Sequence, residues 1–85
     1  MFEKFKQLKQ LKELQDSVSK EKVEVERNGV KIIMNGKLEV EEIKIDPAID
    51  RDKQEKIIKE CLNEAIKKIQ FAISKKMAGM AGLGF

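Results

Sequence analysis

Lysines at the two ends of this 85-residue chain are the residues best suited to binding a ligand. Four lie in the first twelve residues beside one glutamate, and four lie after residue 64, where there is no acidic residue. The middle of the chain carries an acidic excess, so the net charge of +3 is unevenly distributed. Ammonium groups arranged in this way favour an anionic partner such as a phosphate backbone, and ordinary solvated helix faces are the alternative. The eight residues are Lys4, Lys6, Lys9, Lys12, Lys67, Lys68, Lys75 and Lys76.

Catalytic chemistry has few candidate residues, because the chain contains no histidine, tryptophan or tyrosine. General acid–base catalysis would depend on carboxylates, lysines or Cys61. A single cysteine without histidine cannot form a structural zinc site, and we interpret Cys61 as a small buried residue of a helix. Glu39, Glu41 and Glu42 are explained by a solvated strand face, with a carboxylate metal site as the alternative. We expect no enzymatic activity, cofactor, metal ion or small-molecule substrate.

Size and composition indicate the number of domains and the cellular compartment. The length suits a single domain, 1–85, small enough that it often needs a partner chain for stability. No apolar run approaches the roughly 20 residues of a membrane span, and the charged, periodic start does not resemble a signal peptide. One cysteine excludes an internal disulfide and suits a reducing compartment. We therefore expect a soluble, cytoplasmic protein that binds no membrane.

Hydrophobic periodicity predicts the elements that position these lysines. We expect a helix at about 2–18, strands at about 22–27, 30–35 and 38–46, a helix at about 50–78, and a flexible glycine-rich tail at 79–85. The fold class is α+β, in the order α-β-β-β-α, with a three-stranded antiparallel meander between the helices. The apolar residues of the first helix recur at steps of three, so its stripe winds around the helix axis. Such a stripe contacts either two surfaces or one obliquely crossing helix.

The first Asn-Gly pair, at positions 28–29, predicts a two-residue hairpin turn, because both residues tolerate positive φ. This turn places Val25 opposite Ile32 and Val23 opposite Met34. All four side chains then share one face of the sheet, so register and hydrophobicity agree.

The second Asn-Gly pair predicts a three-residue loop, 35–37, with a bulge at Gly36. This loop places Met34 opposite Leu38 and Ile32 opposite Val40. The alternation then changes parity after Val40, which indicates either a bulge near residues 41–42 or a strand that serves different surfaces along its length.

The long helix predicts a second chain. At 1.5 Å per residue it reaches roughly 40 Å, which exceeds the width of a three-stranded sheet. The projecting part keeps an apolar stripe, and such a stripe on a projecting arm needs a partner. We expect a homodimer with interface residues Ile43, Ile45, Ile66, Ile69, Phe71, Ile73 and Met77. Insertion of Phe71 between nucleic acid bases is the alternative role for that ring.

Three segments carry a resemblance to a known family. Val30–Gly36, Val40–Pro47 and Asn63–Lys68, together with the tail from Met77, resemble the YbaB/EbfC family of bacterial nucleoid-associated proteins. The resemblance implies a homodimer of α-β-β-β-α subunits with tweezer-like helical arms, and no enzymatic activity. It implies low-specificity binding of double-stranded DNA through the terminal helices, in the cytoplasm at the nucleoid. Nucleoid organisation or gene regulation is the implied role.

A protein-interaction function is the alternative. The acidic middle of the chain and the long apolar helix suit an accessory of recombination or replication proteins, with incidental DNA affinity. A partner retained after nuclease treatment would favour this hypothesis over direct DNA binding.

Overall fold

Two helices flank a three-stranded antiparallel sheet in the computed structural model, which describes residues 2–81 and the side chains of residues 5–79. The elements are α1 (Phe2–Ser19), β1 (Lys22–Arg27), β2 (Val30–Asn35), β3 (Val40–Ile45) and α2 (Arg51–Ala81), with strand order β1-β2-β3. The predicted α-β-β-β-α order and antiparallel meander are confirmed. Helix α2 continues to Ala81, three residues beyond its predicted end, and residues 82–85 of the predicted tail lie outside the described residues.

The first hairpin has the predicted register. Val25 pairs with Ile32 and Val23 pairs with Met34. Asn28 and Gly29 have φ values of 48° and 89°, as a type I′ turn requires. The two-residue turn therefore places the apolar side chains of β1 and β2 on one face.

The second turn differs from its prediction by one residue. Met34 pairs with Val40, so the predicted pairings of Met34 with Leu38 and of Ile32 with Val40 are wrong. The Asn35 carboxamide causes the shift, because its Oδ1 accepts hydrogen bonds from the amides of Lys37 at 2.9 Å and Glu39 at 3.1 Å. The loop is therefore 36–38. Leu38 takes the left-handed conformation at φ 62°, and the predicted bulge at Gly36 is wrong.

A bulge in β3 explains the change of parity after Val40. Ile33 pairs with Glu42 while Met34 pairs with Val40, which leaves Glu41 as the extra residue. The bulge near 41–42, one of the two predicted alternatives, is confirmed. It keeps the apolar residues of β3 on the same face as those of β2.

Helix α2 covers the inner face of β1 and β2, and the core lies between them. The fully enclosed residues of this core are Val25, Val30, Ile32, Met34, Cys61, Ala65 and Ile69. Each large aliphatic side chain buried here contributes about 1.5–3 kcal/mol. Strand β3 extends the same face beyond α2, so its apolar side chains stay open, with Val40 41% and Ile43 45% exposed.

Helix α1 is attached at its C-terminal end. The Gly36 amide donates to the Glu21 carbonyl at 2.8 Å, so the second turn supports the end of α1. A β-carbon at Gly36 would overlap the Val18 carbonyl oxygen and lie 2.6 Å from the Val18 carbonyl carbon. The φ of Gly36 is not positive, so its backbone conformation does not require glycine. Glycine is required because the two backbones approach each other closely.

Neither helix of the described residues combines the length and the apolar character needed to cross a bilayer.

Replacing Gly36 with alanine should destabilise the protein by about 1–3 kcal/mol, because the atoms that the new methyl group meets belong to backbone and cannot rotate away. The free energy of unfolding from denaturant titration measures this loss. Gly79→Ala is the matched control, since a β-carbon there meets nothing within 4 Å and alanine favours a helix by up to about 1 kcal/mol. Equal stability of the two variants would contradict the docking of α1 on Gly36.

Candidate nucleic-acid interface

One flank of the distal half of α2 carries exposed lysines beside an aromatic ring. Lys67, Lys68 and Lys75 are exposed, and the Phe71 side chain is 64% exposed. The Lys75 ammonium lies 5.1 Å from the centre of the Phe71 ring, within range of a cation–π contact. The ring and its neighbouring ammonium groups form a cationic surface with an apolar centre, which we call the α2 flank (Lys67, Lys68, Phe71 and Lys75).

Helical spacing explains why these side chains point outward. Ala65, Ile69 and Ile73 follow one another at four-residue steps and face the rest of the protein. Lys68 and Phe71 fall to one side of this row, and Ile66 and Met77 fall to the other. Packing of the row against the sheet therefore fixes the direction of the lysines.

The interface residues predicted on α2 do not lie together. Ile69 is fully buried in the core of its own chain, so it is a core residue and is not available to a partner. Ile73 packs against that core and is partly buried. Ile66 and Met77 are 37% and 53% exposed, on the flank opposite Phe71.

Lys76 differs from the other lysines of α2 because its ammonium is bound within the chain. Its Nζ lies 2.9 Å from a carboxylate oxygen of Glu21 and donates to the Ser17 carbonyl at 3.0 Å. Lys76 is three residues from Ile73 and seven from Ile69, so it continues the inward row beyond the sheet and meets α1 instead. This spacing was the sequence signal for a structural role, but only the fold supplies Glu21 and Ser17.

The described lysine side chains of α1 are exposed and face away from α2. Lys6, Lys9 and Lys12 are exposed, and the side chain of Lys4 lies outside those that the structure describes. Lys9 and Lys12 occupy the side of α1 opposite Leu14 and Val18, the residues that meet α2. A single chain therefore presents its two sets of lysines in different directions.

The winding apolar stripe of α1 is only partly covered. Leu14 and Val18 contact α2, whereas Phe5, Leu8 and Leu11 are 73%, 63% and 53% exposed. Within one chain, α2 therefore covers only the C-terminal part of the stripe.

The basic residues of the three strands are all paired with carboxylates. On the outer sheet face Lys31 lies 2.8 Å from Glu24, and this hydrogen-bonded carboxylate raises the pKa of Lys31. Arg27 lies 3.5 Å from Glu60 and 3.9 Å from Glu64. Lys22 forms an ion pair with Glu41 at 3.2 Å, and Lys44 forms one with Glu42 at 3.3 Å.

The positive charge of the α2 flank is not neutralised in this way. Among the side chains of residues 5–79, Lys67, Lys68 and Lys75 form no ion pair. In the distal half of α2, where Lys76 is paired with Glu21, the described lysines that remain available to an anion therefore lie around Phe71.

Groups for metal or covalent chemistry are not assembled in the described part of the chain. Within it, no three His, Cys, Asp or Glu side chains are close enough to hold a metal ion. Cys61 is fully buried, with its Sγ 3.9 Å from the Val30 carbonyl oxygen, which confirms the prediction of a small buried residue. Burial raises the pKa of the Cys61 thiol, which keeps it protonated and poorly nucleophilic.

These features define a small α+β protein that presents exposed lysines on two helices. The chain belongs to the YbaB/EbfC DNA-binding family, whose sequence model matches residues 1–84. The resemblance seen in the sequence is thereby confirmed.

Three similar proteins are named nucleoid-associated proteins. A nucleoid-associated protein of Caldicellulosiruptor saccharolyticus is 38% identical over 60 residues, covering 66% of this chain and 53% of that protein. One from Methylococcus capsulatus is 32% identical over 73 residues, covering 80% of this chain and 68% of its own length. One from Caldicellulosiruptor bescii is 34% identical over 68 residues, covering 73% and 60%. The matched part of the chain thus spans about half to two thirds of these relatives.

The Cys61 thiol should react very slowly with dithionitrobenzoate in the folded protein at about pH 8, where an exposed thiol is partly ionised. Burial both blocks access and raises the pKa of the thiol, so the rate should rise steeply only after unfolding in guanidinium. Absorbance of the released thiolate measures the rate. Rapid reaction of the folded protein would show that the site is open and that a nucleophilic role should be tested.

Proposed function

We propose that the protein is a homodimer that binds duplex DNA through phosphate contacts, with little preference for base sequence. The observation that carries the proposal is the α2 flank, whose three lysines form no ion pair among the described side chains, whereas the basic residues of the three strands are all paired with carboxylates. The lysines of α1 supply a second set of contacts. Membership of a DNA-binding family supports duplex DNA as the anionic partner.

Lysine chemistry accounts for the low specificity. An ammonium group is a compact point charge that neutralises a phosphate and releases its condensed counterions without distinguishing base pairs. Sequence is read by groups that reach base edges, commonly Arg, Asn and Gln. The α2 flank offers lysines and one phenyl ring, so its contribution to affinity should be largely independent of sequence and sensitive to salt.

The proposed dimer uses the apolar surface that one chain leaves open. On β3, Ile43 and Ile45 are 45% and 38% exposed, on the face that carries the core elsewhere in the sheet. On α2, Ile66 and Met77 share the flank opposite the lysines. A second copy that covers these surfaces would leave the α2 flank open to DNA, and it would supply a second set of lysines.

In the cell, the proposed role is nucleoid organisation or gene regulation in the bacterial cytoplasm. The nucleoid-associated relatives support this location. An accessory role in recombination or replication is the competing outcome, and it predicts a protein partner that survives nuclease treatment.

Replacing Lys68 with glutamate should weaken binding to unrelated duplexes by the same factor, since this lysine neutralises phosphate only. The dependence of log affinity on log salt should become shallower by about 0.9 for each phosphate that the variant no longer neutralises. Gel-shift titrations at several salt concentrations, on two duplexes of different sequence, measure both quantities. Lys75→Glu should cause the same two changes, in affinity and in salt dependence.

The matched control is Lys53→Glu, which makes the same charge change on α2 about 22 Å along the helix axis from Lys68. It should leave the salt dependence close to that of the unmodified protein. A loss confined to one duplex would contradict phosphate contact, and absence of binding by the unmodified protein would overturn the DNA hypothesis.

Replacing Ile43 with aspartate should dissociate the dimer, because an interface that enclosed this side chain would have to bury an unpaired carboxylate. Sedimentation equilibrium should then report half the mass found for the unmodified protein. Lys44→Asp places the same carboxylate on the opposite face of β3 and should leave the mass unchanged. A monomeric unmodified protein, or equal masses for all three, would contradict an interface at Ile43.

A further inference from the structure

The junction between α1 and α2 is fastened by one half-buried ion pair. Lys76 and Glu21 are 37% and 28% exposed in their side chains, and the two charged atoms are 2.9 Å apart. The same ammonium donates to the Ser17 carbonyl at 3.0 Å. A single lysine thus joins α2 to both the last turn of α1 and the segment that follows it.

The Ser17 carbonyl is available because the helix ends irregularly. The Glu21 amide, which a continuing α-helix would direct to Ser17, donates to the Val18 carbonyl at 3.1 Å. The last carbonyls of a helix need partners, and a cation suits the negative end of the helix dipole. Lys76 meets both requirements, so its placement stabilises the end of α1.

Apolar packing alone does not fix the direction of α1. An open groove of about 350 Å³ lies between the helices, lined by Leu14, Val18, Ile73 and Met77 among others. Toward the N-terminus the apolar residues of α1 are exposed. The hydrogen bond from Gly36 to the Glu21 carbonyl anchors one point only. The bonds from Lys76 are a second polar anchor for the end of α1, and this anchor comes from α2.

We propose that Lys76 and Glu21 form a clasp that sets the angle of α1 relative to α2, so that Lys76 positions the DNA-contacting helices and does not itself contact phosphate. A phosphate contact by Lys76 would leave the Glu21 carboxylate half-buried without its partner, which carries a cost that the exposed lysines do not incur. The effect on DNA rests on the proposed function, whereas the clasp itself does not.

The angle can be measured by electron spin resonance between spin labels on Gln7→Cys and Gln70→Cys, two exposed positions on the two helices. Cys61 is buried and should stay unlabelled, and dilution with unlabelled chain removes signals between subunits. Lys76→Met and Glu21→Met should each broaden the distance distribution, because each removes one half of the clasp. Lys76→Arg should restore the narrow distribution, and Lys75→Met, the neighbouring lysine with no ion-pair partner among the described side chains, should leave it unchanged.

The effect of Glu21→Met on DNA affinity distinguishes a clasp from a phosphate contact, because the two models predict changes of opposite sign. In a clasp, Lys76→Met and Glu21→Met both cause a several-fold loss of affinity, because both release α1. If Lys76 instead contacted phosphate, Glu21→Met would free its ammonium and tighten binding. Tighter binding by Glu21→Met, or an unchanged distance distribution in Lys76→Met, overturns the proposal. Absence of DNA binding by the unmodified protein defeats the proposed function, and the distance measurement still decides the clasp.

Discussion

Packing of the apolar row of α2 on the inner face of β1 and β2 is the constraint on which the rest of the molecule depends. Ile32, Cys61 and Ile69 are fully enclosed at this contact, and their burial supplies the main stabilisation of a small core. It also fixes the rotation of α2 about its own axis. Because residues on a helix have set angular positions, fixing the row directs Phe71 and its neighbouring lysines outward.

Because α2 is longer than the sheet is wide, the inward orientation of its apolar row extends beyond the sheet. Its 31 residues continue the inward row past the last strand, where the row meets the C-terminal end of α1. Lys76 occupies an inward position there and is satisfied by Glu21 and Ser17. Lysines of the same helix therefore have two different roles according to their angular position: those beside Phe71 are free to bind an anion, and Lys76 is engaged by α1.

The sheet separates charge from apolar surface. On its outer face, carboxylates hold the lysines of all three strands, so this face has little positive charge to offer. On the inner face, the bulge at Glu41 keeps Ile43 and Ile45 aligned with the core residues of β2, although α2 does not cover them. The same strand thus provides an edge for the proposed dimer without competing with the lysines for DNA.

The sequence by itself determined the order of elements, the first hairpin and its register, and the burial of Cys61, because local turn chemistry and alternation specify them. It could not place the second turn, where the Asn35 side chain moves the loop by one residue, or explain Gly36, whose requirement comes from the approach of α1. By composition alone, Lys76 is indistinguishable from Lys67, Lys68 and Lys75, because all four are lysines in a segment without acidic residues. Only the tertiary structure separated them, because the partners of Lys76 lie more than fifty residues away and reach it through the packing of two helices.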